Sequence, residues 1–162
     1  MRLHGRRLTA SRGLVSDLRL DWFETPWSDG GGCTRGYRVL DQAGQAWSDP
    51  DLDEAGVHVL RVVGVTHRMR ALQHTAFSPG ESVVLMPEPD NPHDPWALGV
   101  RDVGLGLHVG YVPAVRSREL VLQMRFHRLH AIVLTEHRVH GRRVGLRVAA
   151  GFAPILCQRN LG

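Results

Sequence analysis

Lysine is absent from this sequence and cysteine is scarce. The first shortage restricts the basic side chains to arginine, and the second restricts disulfide and zinc sites. All 20 residues counted as lysine or arginine are arginines. A compositional bias of the coding sequence accounts for this, but it leaves the planar guanidinium, which binds phosphate and stacks on bases, as the only permanently charged basic side chain. Cys33 and Cys157 form no CxxC pair, which excludes a disulfide framework and a cysteine-ligated zinc site. We therefore expect an intracellular protein of the reducing cytoplasm.

Long apolar runs and familiar catalytic motifs are also missing. No run approaches the roughly 20 apolar residues that a membrane-spanning helix needs, and no apolar segment follows the arginine-rich residues 1–13 as it would in a signal peptide. The P-loop, GxSxG and HExxH motifs do not occur. These absences predict a non-catalytic protein that is not associated with a membrane.

What is present is enough apolar sequence for one domain, together with an uneven distribution of charge. Of the 162 residues, 43% are hydrophobic, which suffices for a core. Residues 21–60 contain eight acidic residues and two arginines, whereas residues 116–162 contain nine arginines and two acidic residues. The basic C-terminal third is compatible with a polyanionic partner.

Alternating and β-branched patterns predict strands over most of the chain. In residues 14–23, Leu18, Leu20 and Trp22 alternate with polar residues, as in a half-buried strand. Short helices are expected near 69–76 and after Pro113, where apolar residues repeat at helical spacing. The other predicted strands are GYRVL (36–40), 57–65, 82–88, 96–102, 107–112, 125–139 and 144–152.

This order of elements predicts a mainly β (α+β) fold. We expect a small OB-like β-barrel with two short helices over residues 56–162. Residues 1–55 are expected to form a small, partly flexible β appendage, joined to the barrel by a linker near 48–56.

The stretch EPDNPHDPWALGV (88–100) is the most unusual part of the sequence. Prolines stiffen the loop, so the cost of ordering it is met before any ligand binds. Asn91 and Asp94 are typical turn-capping residues, while His93 beside Asp94 suits a base and a sugar hydroxyl. Trp96 is expected either to close the barrel as a buried residue or to stack on a base. The prolines are Pro87, Pro89, Pro92 and Pro95.

Three motifs in order give the chain a resemblance to a known family. VVGVTHR (62–68), EPDNPHDPWALGV (88–100) and VGYVP (109–113) resemble the VVG-type strand, NPYDxNA-type corner and VGxL-type strand of the HIRAN domain family. The resemblance covers about 58–150. It implies an OB-like barrel that binds DNA and captures a single-stranded 3′ end.

The same resemblance implies roles for individual residues of the corner. Asp94 would accept a hydrogen bond from the terminal 3′-hydroxyl, and Asn91 would shape the turn. His93 stands where the family usually has tyrosine, which keeps a flat ring but reduces the stacking area.

Outside the corner, the resemblance places four more residues in the site. Tyr111 follows the VG pair, where a relative has histidine, and His67 stands where an aromatic residue follows the VVG strand. The arginine expected just after VVG is replaced by Thr66, with Arg68 two positions later as a substitute.

The C-terminal hairpin offers two further interpretations. His127, His130, His137 and His140 form two HxxH pairs, but residues three apart on a strand point to opposite faces, so a zinc site needs a ligand from elsewhere. Basic decoration of the hairpin is the simpler interpretation. Arg138, Arg142 and Arg143 flank the tip, where they either contact phosphates or remain solvated.

A metal-dependent site at the corner is the main catalytic alternative. Glu88, Asp90 and Asp94 supply the oxygen ligands that hard cations prefer. They are spread across prolines, however, and no lysine or nucleophile accompanies them. We therefore expect no cofactor, with zinc or another divalent metal left as an alternative.

Together these observations predict a non-enzymatic module that binds single-stranded DNA, with its 3′ end as the preferred ligand, in DNA repair or processing. A helicase or nuclease chain is the expected protein partner, and DNA binding would place the protein at the nucleoid. One alternative is a metal-dependent nuclease or hydrolase acting on nucleic acid or a phosphoanhydride. Another is a protein-interaction module with a decayed DNA pocket, which Thr66 and His93 motivate.

Overall fold

The structure is a computed structural model that describes residues 18–152. Cys157 and the first 17 residues of the predicted appendage lie outside this range. The strands are β1 (Arg19–Pro26), β2 (Gly32–Leu40), β3 (Val57–Arg61), β4 (Ser82–Pro87), β5 (Leu98–Asp102), β6 (His108–Tyr111), β7 (His130–Val139) and β8 (Arg142–Gly151). The α-helices are α1 (Asp49–Glu54), α2 (Met69–Leu72) and α3 (Ala114–Met124). Single 3₁₀ turns occur at Val65–His67 and Thr75–Phe77.

All strand pairs are antiparallel and belong to one eight-stranded sheet. Its main path runs β1-β2-β7-β4-β5-β6, and β8 pairs with both β7 and β3. The sheet curls until Val63, just after β3, meets Tyr111 of β6 through two backbone hydrogen bonds of 2.8 and 2.9 Å. The prediction of a mainly β (α+β) fold is therefore confirmed, with all eight strands in one curled sheet that is not a closed barrel.

The sheet stays largely open between β3 and β6 for a local reason. The cause lies in the strand that was predicted over residues 57–65. β3 ends at Arg61, and Gly64 adopts φ of 74°, a left-handed conformation that glycine tolerates well. The chain then enters the 3₁₀ turn at Val65–His67 instead of extending the strand. Only the single bridge between Val63 and Tyr111 then joins the segment after β3 to β6.

The main hydrophobic core lies inside the curl and beneath α3. Phe77, Leu98, Leu120 and Leu146 are fully buried there. Ser117 and Leu120 are the buried residues of α3, in agreement with the predicted apolar stripe. Leu120 shares this core with Leu98 of β5 and Val109 of β6, so one apolar cluster holds α3 and the two strands that lead to the candidate site.

The region predicted as a linker contains a helix. Ser48 caps α1 by accepting a hydrogen bond from the Asp51 N–H at 3.2 Å, and Pro50 occupies its first turn. Leu52 is only 2% exposed and packs in a second apolar cluster with Val57. Burial of this leucine helps to explain why an acidic segment is ordered.

The predicted boundary between residues 55 and 56 remains a prediction, but contacts cross it. Residues 32–36 of β2 pair with residues 135–139 of β7. Asp53 accepts hydrogen bonds from His58 Nδ1 at 2.5 Å and from Arg116 Nη2 at 2.6 Å, which joins α1 to β3 and α3. No helix among the described residues is long and apolar enough to cross a bilayer.

Candidate functional site

The corner between β4 and β5 is held by hydrogen bonds from its own side chains. Asn91 Oδ1 accepts from the N–H groups of His93 at 2.9 Å and Asp94 at 3.2 Å. Asp94 Oδ1 accepts from the Trp96 N–H at 2.8 Å. Both residues therefore cap turns, which is the role predicted for Asn91 and one of the two predicted for Asp94. The result is a corner with little freedom left to lose on binding a ligand.

Capping leaves the corner with groups that can still contact a ligand. The His93 side chain is exposed and Asp94 is half-buried. Only one carboxylate oxygen of Asp94 is used by the turn; within residues 18–152 the other oxygen accepts no hydrogen bond. The turn-capping and ligand-binding interpretations of Asp94 are thus compatible.

Glu88, at the start of the corner, organises the neighbouring side chains. Its Oε2 accepts hydrogen bonds from Asn91 Nδ2 at 3.1 Å and from the Tyr111 hydroxyl at 3.0 Å. Its Oε1 accepts from Arg101 Nη2 at 3.3 Å. A hydrogen-bonded path therefore runs from the ring of Tyr111 through Glu88 and Asn91 to the backbone of Asp94. From its sequence, Glu88 was predicted only as a candidate metal ligand, and this role was not predicted.

Gly99 makes room for this arrangement. A Cβ atom at Gly99 would lie 3.0 Å from Glu88 Oε1 and 3.2 Å from His108 Nε2. The absent side chain thus lets a carboxylate and an imidazole approach the sheet surface. The signal in the sequence was a glycine inside an otherwise apolar strand, which often marks close approach of another group.

Tyr111 forms the aromatic centre of the site. Its ring packs edge-to-face with His108, with centroids 4.6 Å apart. The Arg68 guanidinium carbon lies 5.8 Å from the Tyr111 ring centroid, within range of a cation–π interaction. Thr66 and His67 lie exposed on the 3₁₀ turn just before Arg68. The structure therefore brings Arg68 to Tyr111 and leaves Thr66 and His67 at the surface.

The electrostatics of the site follow from burial and hydrogen bonding. Burial acts to raise the pKa of the Glu88 carboxyl, but hydrogen bonds from Asn91 and Tyr111 outweigh it, so the pKa lies below its usual range. Burial raises the pKa of Tyr111, and its hydrogen bond to Glu88 adds to the effect. Burial lowers the pKa of His108, helped by the charge of Arg68. At neutral pH the cluster therefore holds an ionised glutamate, a protonated phenol and a neutral imidazole.

Replacing Tyr111 by Phe is expected to raise the pKa of Glu88, because the ionised carboxylate loses one of its hydrogen-bond donors. A carboxyl whose folded pKa is depressed contributes stability above its unfolded pKa and loses it as the pH falls through the folded value. The variant should therefore lose less stability on acidification. Carboxyl carbon NMR titration of Glu88 measures the shift; an unchanged pKa would contradict the assigned hydrogen bond.

The two arginines predicted at the hairpin have different environments. Arg142 is exposed, but Arg143 is only 4% exposed. The Arg143 guanidinium is hydrogen-bonded to Glu136 and to the carbonyl oxygens of Leu72 at 2.6 Å and His74 at 3.0 Å. The prediction that Arg143 contacts phosphates at the hairpin tip is therefore wrong, because its side chain is buried and already hydrogen-bonded. Strand alternation points one residue outward, and the buried carboxylate holds the other inside.

The other proposed ligand groups are dispersed. His137 Nδ1 is hydrogen-bonded to Thr34 Oγ1 at 2.8 Å. Asp90 is exposed at the corner, while Glu88 is occupied by its hydrogen-bond donors. Within residues 18–152, no three His, Cys, Asp or Glu side chains meet in a group able to hold a metal ion.

Trp96 does not close a barrel. Its side chain is half-buried at the exit of the corner. The guanidinium carbons of Arg118, on α3, and of Arg125, at its C-terminal cap, lie 5.2 and 5.9 Å from the centroid of its ring. The expectation of a buried tryptophan is therefore wrong, because α3 covers this ring with two charged side chains and not with apolar ones.

Fold and site together define a small, mainly β domain with a stiff acidic corner beside an aromatic and arginine cluster. The chain belongs to the HIRAN domain family, whose model matches residues 55–152.

Two solved structures are similar to this chain. The HIRAN domain of human HLTF is 19% identical, with a TM-score of 0.43, over 62% of this chain and 79% of that one. A protein from Lactobacillus plantarum is 22% identical, with a TM-score of 0.44, over 57% of this chain and 89% of that one. No curated protein matches this sequence.

Proposed function

We propose that this chain is a non-enzymatic nucleic-acid-binding module that holds the 3′ end of single-stranded DNA. Membership of the HIRAN domain family supports a nucleic-acid ligand. Binding of a DNA 3′ end is supported by one observation, the hydrogen-bonded path from Tyr111 through Glu88 and Asn91 to Asp94. This path fixes an aromatic ring and a carboxylate relative to each other before any ligand binds.

In this proposal each residue of the site has a defined task. The carboxylate oxygen of Asp94 that is not used by the turn accepts a hydrogen bond from the terminal 3′-hydroxyl. The rings of Tyr111 and His93 stack on bases, and Arg68 contacts a phosphate oxygen. Thr66 and His67 lie beside Arg68 at the rim of the same site. The exposed guanidinium of Arg142, on the C-terminal hairpin, adds positive charge outside the site.

A free hydroxyl and a terminal phosphate should be distinguished sharply. A hydroxyl donates to the Asp94 carboxylate, whereas a 3′-phosphate places negative charge against it. Replacing Asp94 by Ala is therefore expected to abolish the preference for a 3′-hydroxyl end over a 3′-phosphate end and to leave general affinity largely intact. Fluorescence anisotropy with matched oligonucleotides measures both quantities.

Because Asp94 also caps a turn, a second variant separates the two effects. Asp94→Asn keeps an oxygen for the Trp96 N–H but removes the negative charge. We expect it to tolerate the 3′-phosphate while remaining as stable as the intact protein. Equal binding of both ends by the intact protein would refute the assignment of the site.

The same proposal includes the setting in which the module acts. We infer an intracellular role in DNA repair or processing, with a helicase or nuclease supplied by another chain. Incubating a labelled oligonucleotide with the protein and Mg²⁺, Mn²⁺ or Zn²⁺ tests the absence of catalysis: turnover would support a hydrolase.

A further inference from the structure

The exit of the corner carries a second cluster that the end-binding site does not use. Arg118 of α3 and Arg125, which caps the C-terminal end of α3, lie on the ring of Trp96 and are both exposed. Arg116, on the same helix, is paired with Asp53 and Glu119. Within the described part of the chain, no carboxylate forms an ion pair with Arg118 or Arg125.

An arginine that lies over an aromatic ring is well prepared to bind phosphate. The stacked face of the guanidinium is used by the ring, but its N–H donors remain available at the edge. The side chain also loses less conformational freedom when a phosphate binds, because the ring already restricts it. Trp96 thus presents two oriented phosphate-binding groups around one aromatic surface.

The outer face of α3 and the turn that follows it extend this cluster with apolar surface. Phe126, next to Arg125, is 82% exposed, and Leu122 is 37% exposed one turn away from Arg118. Alternation of aromatic rings with unpaired arginines fits a single-stranded nucleic acid, whose bases stack and whose phosphates pair with guanidinium. An acidic peptide would satisfy the arginines but would supply no bases for the rings.

We infer that Trp96, Arg118 and Arg125 form a second nucleic-acid platform, which binds the nucleotides immediately 5′ of the captured end. The placement of this platform on the 5′ side of the DNA end rests on the proposed function. The backbone N–H of Trp96 donates to Asp94 Oδ1 at 2.8 Å, so Trp96 leaves the corner directly beside the carboxylate that would bind the terminal sugar. A strand whose 3′ end is held at the corner therefore reaches this ring within its next nucleotides.

The test compares 5′-labelled thymidine oligonucleotides of two and ten residues by fluorescence anisotropy over a salt series. The intact protein should bind the decanucleotide about tenfold or more tightly than the dinucleotide, since each stacked base contributes measurably. The double variant R118Q/R125Q should lose most of this gain. Its salt dependence should also fall by about 1.4 in log–log slope, as two single-strand phosphate contacts would give.

A matched double variant controls for net charge. Arg19 and Arg61 are exposed on β1 and β3, away from α3. R19Q/R61Q removes the same charge and should keep the gain with length. Trp96→Phe should retain part of the gain and Trp96→Ala little of it. If both double variants lose the gain equally, or if R118Q/R125Q keeps it, the platform is refuted.

Circular oligonucleotides separate this inference from the proposed function, because they have no 3′ end. Suppose that binding of a circular decanucleotide is sensitive to R118Q/R125Q while linear ends show no hydroxyl preference. The platform then stands and the end-binding site fails. Absence of binding to every oligonucleotide at low salt would overturn the platform. So would stronger binding of polyglutamate than of DNA, an outcome that would indicate an acidic protein partner.

Discussion

Glu136→Gln is expected to lower the free energy of unfolding by about 3–5 kcal/mol, the usual cost of removing one partner from a buried ion pair. The Glu136 side chain is 1% exposed and accepts from Arg35 Nε at 2.6 Å, from Arg138 Nη1 at 3.1 Å and from Arg143 Nε. Loss of its charge would leave the interior guanidinium of Arg143 without a counterion. Urea unfolding followed by circular dichroism measures the difference.

Asp21→Asn provides the matched control for this prediction. Asp21 pairs with Arg38 at 2.8 Å, but both side chains are about half exposed. Solvent screens such a pair, so the control should cost less than about 1 kcal/mol. Comparable losses in the two variants would mean that the Glu136 cluster contributes no more than an ordinary surface pair.

The pH dependence of stability should identify the same cluster. Burial acts to raise the pKa of Glu136, but the hydrogen bonds and charges of Arg35 and Arg143 outweigh it, so the pKa is lowered. Its contribution is therefore present above the ordinary glutamate pKa of 4.5 and disappears as the pH falls through the lower folded value. The Gln variant should show a smaller loss of stability across that acid range than the intact protein.

Gly110→Ala is expected to disrupt the bridge that joins β6 to the segment after β3. A Cβ atom at this position would meet the carbonyl oxygen of Val63 and would lie 2.8 Å from Val62 Cγ1. The backbone must therefore separate at the bridge between Val63 and Tyr111, at a cost of about 1–3 kcal/mol. Because Tyr111 would move away from Arg68, we also expect at least a tenfold loss of affinity for the 3′ end, the value of about one stacked base.

Gly104→Ala is the control for the glycine substitution. Nothing lies within 4 Å of a Cβ atom at Gly104. This variant should change stability by no more than about 0.5 kcal/mol and should bind DNA normally. Thermal unfolding and oligonucleotide anisotropy, measured on both variants, test the prediction; normal binding by Gly110→Ala would show that the bridge does not position the site.

Several elements could be predicted because their signals are local. A β-branched run such as 82–88 is read from a few adjacent residues, and the corresponding strand β4 ends within one residue of the prediction. The apolar stripe of α3 follows helical spacing and includes the buried Leu120. The order of the three motifs also sufficed to identify the family, whose model matches residues 55–152.

Other predictions failed because the deciding partner lies far away in the chain. Arg143 looked like a surface residue of a hairpin, but its partners include Leu72, 71 residues distant. Glu136 accepts from Arg35, 101 residues distant. No local pattern reports such pairings, because they form only when the sheet brings β2, β7 and β8 together.

The sequence by itself determined a mainly β domain of the HIRAN family with a stiff corner around Asn91 and Asp94, since strand periodicity and proline geometry are properties of neighbouring residues. Only the tertiary structure decided that Glu88 would join Tyr111 to that corner and that Trp96 would meet one arginine of α3 and the arginine at its C-terminal cap. The physical reason is that charges and aromatic rings take their environment from whatever the fold packs against them.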